Sequence, residues 1–225
     1  MATRHGEGGE RARAFVPAAG HDWALPLYDP LLWLFGLDRL RRPLIEGVGA
    51  QATQRVLDVG CGTGTLAVAL KRLYPEAVVV GLDPDPKALA IARGKADAAG
   101  VRVEFVQGYG DRSQQPAEHY DHVVSSFMFH HLDAETKRAT LRESSRVLVP
   151  GGHFHLLDFV DLQPKKGLLS RALHAAGGDA VLRGEAQTDL APLLQEHGLR
   201  LLQQEYKPLL VLGTLAHYRA RKPAA

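Results

Sequence analysis

The segment Val56-Leu57-Asp58-Val59-Gly60-Cys61-Gly62-Thr63-Gly64-Thr65-Leu66 restricts the fold more than any other stretch of the chain. An apolar run of strand character enters three glycines at alternate positions and leaves into a helical pattern. Glycine reaches backbone conformations closed to other residues, and lacking a Cβ it lets a ligand approach the main chain closely. In an open α/β sheet such a turn lies at the carboxyl end of a strand, where these sheets bind their ligands.

The rest of the sequence repeats the strand–helix alternation. Strands are expected at Val56–Val59, Val78–Leu82, Val103–Val106, Asp121–Ser125 and His153–Leu157, and helices near Leu66–Tyr74, Lys87–Ala99, Ala134–Val147 and Asp189–His197. Val-, Leu- and Ile-rich runs without polar alternation suit parallel strands buried on both faces. Two more strands, Leu199–Tyr206 and Leu209–Tyr218, are expected around a Lys207-Pro208 turn. The expected fold is therefore α/β: a doubly wound, Rossmann-like, mixed seven-stranded sheet with a C-terminal antiparallel hairpin and an N-terminal helical lid. Residues 1–225 read as a single domain, divided into a disordered tail (1–12), the lid (13–53), a ligand-binding core (54–160), an acceptor-pocket insert (161–190) and a C-terminal helix and hairpin (191–225).

Composition narrows the class. With 27 Lys+Arg against 25 Asp+Glu the formal charge is +2, too balanced for a protein built to track phosphates, and no nucleic-acid partner is expected. The basic residues Arg39, Arg41 and Arg42, and Arg219, Arg221 and Lys222, read as solvated helix ends. Cys61 is the single cysteine, so no intrachain disulfide forms, which fits a reducing compartment. The opening residues lack a signal-peptide core and no apolar run reaches membrane-spanning length. Stable membrane insertion is not expected, and the reading is of a cytoplasmic monomer or homodimer.

Three carboxylates follow the strands at the rim. Asp58 precedes the loop, where it suits a ligand with an amine and would sit badly beside a pyrophosphate. The G-x-G-x-G spacing also differs from the G-x-G-x-x-G of dinucleotide folds, which counts against a NAD-dependent dehydrogenase. Asp83, in Gly81-Leu82-Asp83-Pro84-Asp85, lies where an acid binds ribose hydroxyls in nucleotide-binding α/β folds. Asp85, before Pro86, fits a helix N-cap. Asp111 follows Gly110 after the third strand and can accept from an exocyclic amine.

Together these segments resemble the class I S-adenosylmethionine (SAM)-dependent methyltransferases, in the branch that includes ubiquinone- and menaquinone-biosynthesis and related small-molecule enzymes (methyltransferase type 11). Leu57–Gly64, Gly81–Asp83, Gly110–Asp111, Tyr120–Ser126 leading to His130-His131-Leu132, and Arg146–Gly152 occur in the family's order over residues 55–160. The resemblance implies a SAM site. Asp58, Gly60, Cys61, Gly62 and Gly64 would surround the methionine part, Asp83 with Pro84 the ribose, and Asp111 with Arg112 the adenine. Ser126 and Phe127 would line the methionine side, and the Pro150-Gly151-Gly152 turn would be structural. Where the family continues with an apolar run, this chain has Arg112-Ser113-Gln114-Gln115, so a more polar adenine contact is expected.

Methyl transfer is an in-line displacement in which orientation supplies much of the rate, up to about 7–11 kcal/mol. A base is needed only where the nucleophile loses a proton. His130 and His131, after the fourth strand, are the candidates for that base, with an inert capping or rim role as the alternative. Asp158 is a weaker rim candidate. His153 and His155 share a face of the fifth strand, and with no carboxylate or cysteine at ligand spacing no metal is expected. Tyr28 resembles the tyrosine the family places over the methyl-donor region; packing of Tyr28, Trp23, Trp33 and Phe35 onto the core is the other reading. The expected reaction transfers the SAM methyl to a small, partly hydrophobic or aromatic acceptor and releases S-adenosylhomocysteine. A non-catalytic SAM- or nucleotide-binding regulator is the rival.

Overall fold

The computed structural model describes residues 37–161, 190–209 and 213–224. Tyr28, Trp23, Trp33, Phe35 and the acceptor-pocket insert from 162 to 189 lie outside the described residues. Two short helices open the described chain, α1 (Leu37–Leu40) and α2 (Arg42–Val48). There follow β1 (Arg55–Val59), α3 (Thr65–Leu73), β2 (Val78–Asp83), α4 (Pro86–Ala98), β3 (Glu104–Gln107) and β4 (Tyr120–Ser126). A 3-10 turn (Phe129–His131), α5 (Ala134–Val147), β5 (Leu148–Asp161), α6 (Ala191–Glu196), β6 (Arg200–Leu209) and β7 (Gly213–Arg221) complete it.

The seven strands form one sheet in the order β3-β2-β1-β4-β5-β7-β6. The pairs β3–β2, β2–β1, β1–β4 and β4–β5 are parallel, and β7 pairs antiparallel with both β5 and β6. The mixed sheet and closing hairpin are as the sequence suggests. The strand order reverses beside β1, between β2 and β4, and this switch point places a crevice above the glycine loop.

The central strands send alternate side chains to two helical layers. Val56, Val124, Leu157 and Phe159 meet Leu44 and Val48 of α2, Leu66 and Leu70 of α3 and Leu89 of α4. Leu57, Val59, Val123, Phe154 and Leu156 face the opposite way, onto Leu141 and Val147 of α5 and Leu194 of α6. Burial on both faces explains why these strands are apolar without alternation. Fully burying a Leu or Val side chain contributes roughly 1.5–3 kcal/mol, so the two layers fix the strand ends that carry polar groups.

Two helix starts are capped by aspartates, the first as its sequence signal suggests. Asp85 caps α4, its Oδ1 accepting the Lys87 N–H at 2.8 Å ahead of Pro86. Asp133 caps α5, accepting the Thr136 N–H at 2.7 Å. The expected hairpin turn is corrected. Lys207 and Pro208 are not a turn but lie within β6, with Pro208 opposite Thr214 and Leu209 opposite Gly213. Proline lacks an N–H, yet β6 is an edge strand, where that donor is not needed by a further neighbour.

Candidate methyl-donor site

The loop after β1 is held by backbone bonds that open it toward the crevice. The Gly60 and Cys61 N–H groups both donate to the Leu82 carbonyl, at 2.8 and 3.0 Å. Gly60 and Gly64 have φ of 72° and 76°, and a Cβ on them would lie 2.4 Å from Met128 Cγ and 2.7 Å from Ala92 Cβ. Both the backbone angle and the close neighbour therefore require glycine there.

Around this loop is a cavity of about 430 Å³. It is lined by Gly60, Cys61 and Gly62 from the loop, Asp83, Pro84 and Asp85 after β2, and Tyr109–Arg112 after β3. Ser126, Phe127, Met128, His131 and Leu132 complete it after β4, with Thr136 and Thr140 of α5 on one side. Of the residues singled out in the sequence, Gly60, Cys61, Gly62, Asp83, Pro84, Asp111, Arg112, Ser126, Phe127 and His131 thus come together around one cavity. Asp58, Gly64 and His130 lie behind it, and Tyr28 is outside the described residues.

Asp83 does two jobs in the loop. Its Oδ2 accepts the Gly62 N–H at 2.8 Å and its Oδ1 the Asp85 N–H at 2.9 Å. Each oxygen keeps a lone pair, so the carboxylate can still receive two hydroxyls. Burial raises its pKa, opposed by these two backbone bonds.

Asp58 is only 1% exposed, and among the described residues neither carboxylate oxygen has a partner at hydrogen-bonding geometry. Burial pushes its pKa up to about 7; the Arg41 charge lowers it and the Asp83 charge raises it. A buried acid so placed favours a cation arriving nearby. Cys61 is no nucleophile: burial and the Asp58 and Asp83 charges hold its thiol well above its ordinary value.

Arg41 corrects the reading of a solvated helix end. It is 6% exposed, its Nε donates to Ser126 Oγ at 3.2 Å, and its guanidinium lies 4.8 Å from the Phe127 ring centroid. Sequence reasoning missed it, along with Met128, Thr136 and Thr140, because they come from three separate segments and none belongs to a motif. Phe127 has φ of 56°. A bulky residue in the left-handed region costs about 1–3 kcal/mol and persists only where its surroundings fix it. Here the Leu157 carbonyl accepts its N–H at 2.9 Å, and the Phe159 ring stacks 5.3 Å away.

The polar run after Asp111 is also corrected in part. Arg112 lines the cavity, 4.2 Å from the Tyr109 ring centroid and 3.4 Å from Asp111 Oδ2. Ser113 and Gln115 turn away: Ser113 Oγ donates to Glu143 Oε1 at 2.6 Å, and the Tyr120 hydroxyl donates to Gln115 Oε1 at 2.5 Å. The run fastens the loop to α5 and to β4, and only its first residue enters the crevice.

The two histidines diverge. His130 is 4% exposed and bound to Asp158, itself 0% exposed: Nδ1 lies 2.5 Å from Oδ1, and the His130 N–H donates to Oδ2 at 3.2 Å. Asp158 is therefore an interior anchor rather than a rim group. His131 faces the cavity with its ring centroid 3.9 Å from that of His130. Burial and the neighbouring His130 lower its pKa to about 4, opposed by Asp158, so it is neutral at physiological pH.

An open sheet of this order, with a glycine loop after β1 and carboxylates ending β1 and β2, defines a class I SAM-dependent methyltransferase architecture. Residues 56–152, less than half of the chain, match the family described as a methyltransferase domain. It is 41% identical over 145 residues to a demethylmenaquinone methyltransferase of Thermus thermophilus, covering 63% of this chain and 64% of that one. It is 35% identical over 144 residues to the ubiquinone/menaquinone biosynthesis C-methyltransferase UbiE of Pseudomonas putida, covering 62% and 55%. The matches thus span less than two thirds of these relatives' length. In fold it resembles the [4+2]-cyclase SpnF, with a TM-score of 0.67 at 22% identity over 84% of this chain and 81% of that one.

Proposed function

We propose that this protein transfers the methyl group of SAM to a small, partly hydrophobic or aromatic acceptor. The observation that carries the reading is Asp58, a buried acid without a hydrogen-bond partner among the described residues, directly behind a glycine loop whose Gly62 position is open, with nothing within 4 Å of an added Cβ. An orphaned carboxyl with a raised pKa fits a ligand bearing an ammonium group and no phosphate. Arg41, across the same end of the cavity beside Ser126, offers a charge for the ligand's carboxylate. Asp83 has the free lone pairs for a ribose diol, and Asp111 with Arg112 flanks the adenine end.

SAM supplies a methyl group already activated by its sulfonium. The chain's own part is to bind, orient and exclude water. Strained Phe127 and Met128 wall the methionine end, and neutral His131 is placed to take a proton from an acceptor that must lose one. His130 and Asp158 hold the turn that carries His131.

Most of the lid (13–53) and of the insert (161–190), to which the sequence reading of a single domain gives the acceptor pocket, lies outside the described residues. No helix among the described residues is long and apolar enough to cross a membrane; that the enzyme is a cytoplasmic monomer or homodimer acting on a free small molecule rather than on nucleic acid is part of the same proposal. Mass spectrometry of pooled metabolites incubated with the protein and deuteromethyl-labelled SAM tests the reading. Label appearing in a small molecule, with S-adenosylhomocysteine released, supports it; SAM binding without transfer to any pool overturns the catalytic part.

A further inference from the structure

At the opposite end of the sheet from the methyl-donor crevice is a second, more open cleft of about 630 Å³, and the two share no lining residue. It is bounded by Glu46–Gly49 at the end of α2, Gln54 before β1, Asp121 and His122 of β4, Val149–His153 of β5, and Arg219 and Arg221 of β7. The strand registers explain the grouping. His122 pairs with His153, His155 with Arg219, and His153 with Arg221, so all five side chains project from one face of adjacent strands.

The three imidazoles form a triangle. Ring centroids are 5.8 Å apart for His122 and His153, 5.7 Å for His122 and His155, and 6.2 Å for His153 and His155. His155 is 0% exposed and, among the described residues, has no partner on either ring nitrogen. His122 is 5% exposed; its Nε2 lies 3.2 Å from Gln54 Oε1, while its Nδ1 has no partner. The Arg219 Nε is buried with no partner, and no ion pair to Arg219 is found among the described residues. Buried donors and a guanidinium left without an acceptor are costly.

The carboxylates at hand are already engaged. Asp121 Oδ2 accepts the Arg55 N–H at 2.8 Å, and Glu46 is paired with Arg42 at 2.7 Å. Glu205 of β6 stands opposite His217 and accepts from Gln203 Nε2 at 2.8 Å. A dication does not fit, since no group of three or more His, Cys, Asp or Glu among the described residues is arranged to hold a metal.

We propose that this cleft is a binding site for a small polyatomic oxyanion, a phosphate or a carboxylate, held by Arg219 with His122 and His153. A planar guanidinium binds either group through two parallel N–H···O bonds. The imidazoles add N–H donors from the other side, and Arg221, whose Nε donates to the Gly151 carbonyl at 3.1 Å, adds charge at the mouth. Burial and neighbouring cationic groups lower the pKa of His122 to about 4 and lower those of His153, His155 and His217. Asp121 acts against this at His122, and Glu205 at His217. An anion in the cleft reverses the local field, so it binds together with protons and binds more tightly as pH falls.

The test follows the histidine ring signals of the full chain by NMR while inorganic phosphate or succinate is added at constant ionic strength, at about pH 6 and about pH 8. The expected result is a saturable shift of the His122 and His153 signals, tighter at the lower pH, for at least one of the two anions; which anion acts distinguishes a phosphate site from a carboxylate site. Arg219→Gln should weaken binding about tenfold and Arg219→Lys less, because only the fork is lost in the latter. SAM affinity, read on the same samples, should be unchanged and reports that each variant is folded. If Arg219→Gln does not fold, His153→Gln at the rim makes the same test. No saturable shift with either anion, or equal affinity in wild type and variants, overturns the proposal.

Discussion

The Nδ1 of His130 lies 2.5 Å from Oδ1 of Asp158, and neither side chain is more than 2% exposed. Asp158 also accepts the backbone N–H groups of His130 and Phe159, at 3.2 and 2.7 Å. One carboxylate thus joins the turn after β4 to the interior of β5 and fixes the direction in which the next residue, His131, enters the cavity. Asp158→Ala should destabilise the protein by about 3–5 kcal/mol, because it strands two backbone donors and a histidine in the interior. Asp158→Asn, which keeps the shape, should lose less. Chemical denaturation of both variants measures the difference, and equal stability of Asp158→Ala and wild type would remove the anchoring role.

Asp83→Ala should weaken binding of both SAM and S-adenosylhomocysteine. Loss of a hydrogen bond to a charged acceptor costs roughly 1.5–3 kcal/mol, or at least about tenfold in affinity for one bond. The side chain also holds Gly62 at 2.8 Å, so loop order should fall as well. Calorimetric titration reads the affinity; wild-type binding by this variant would show that the ribose is held elsewhere.

How much of this was legible in the sequence depends on whether a residue acts through its local pattern. Asp85 announces itself as a cap, since a helix start is a short-range event, and the glycine loop carries its own conformational demand. Arg41 could not be placed in that way: only the fold brings α1 and α2 against Ser126 and Phe127, 85 residues distant for the Arg41–Ser126 pair. The adjacent histidines were readable as a pair, but which one faces the cavity depends on Asp158, contributed by another strand. Pro208 misled because a proline signals a turn unless the strand is at an edge, and edge position is a property of the whole sheet.

Asp58 predicts a pH dependence. Its folded-state pKa of about 7 lies above the ordinary carboxyl value, so the proton is bound more tightly in the folded state. Its contribution to stability is fully present below about pH 4 and is lost as pH rises through 7. A ligand cation reverses this preference, so SAM affinity should rise as pH increases from about 6 to 8, and Asp58→Asn should abolish that rise. A flat affinity profile in the wild type would show that Asp58 does not sense the ligand's charge.

The opposite sign holds for the histidines of the second cleft. His122 is lowered from 6.5 to about 4, so the folded state resists the proton that the unfolded chain accepts. That stability is present above about pH 6.5 and is lost as pH falls toward 4, on the order of 3 kcal/mol for this group. His122→Gln should flatten the acid limb of a melting-temperature profile, whereas an unchanged limb would assign the acid sensitivity to other groups.

His131 gives the most direct test of the chemistry. Its ring lines the cavity and its pKa is lowered to about 4 by burial and by His130, so it is in the base form across the neutral range. If it takes the acceptor's proton, His131→Ala should reduce turnover roughly 10²–10⁴-fold while SAM affinity is nearly unchanged. The sign of the pH profile follows: activity should be lost as pH falls through the region near 4, not near 6.5, and that limb should vanish in the variant. His130→Ala should differ in kind, lowering the melting temperature first, since its ring is bound to Asp158 and buried. Turnover, SAM affinity and melting temperature measured on both variants separate a base from a brace. Full activity of a folded His131→Ala would leave orientation of the two substrates as the whole of the catalysis.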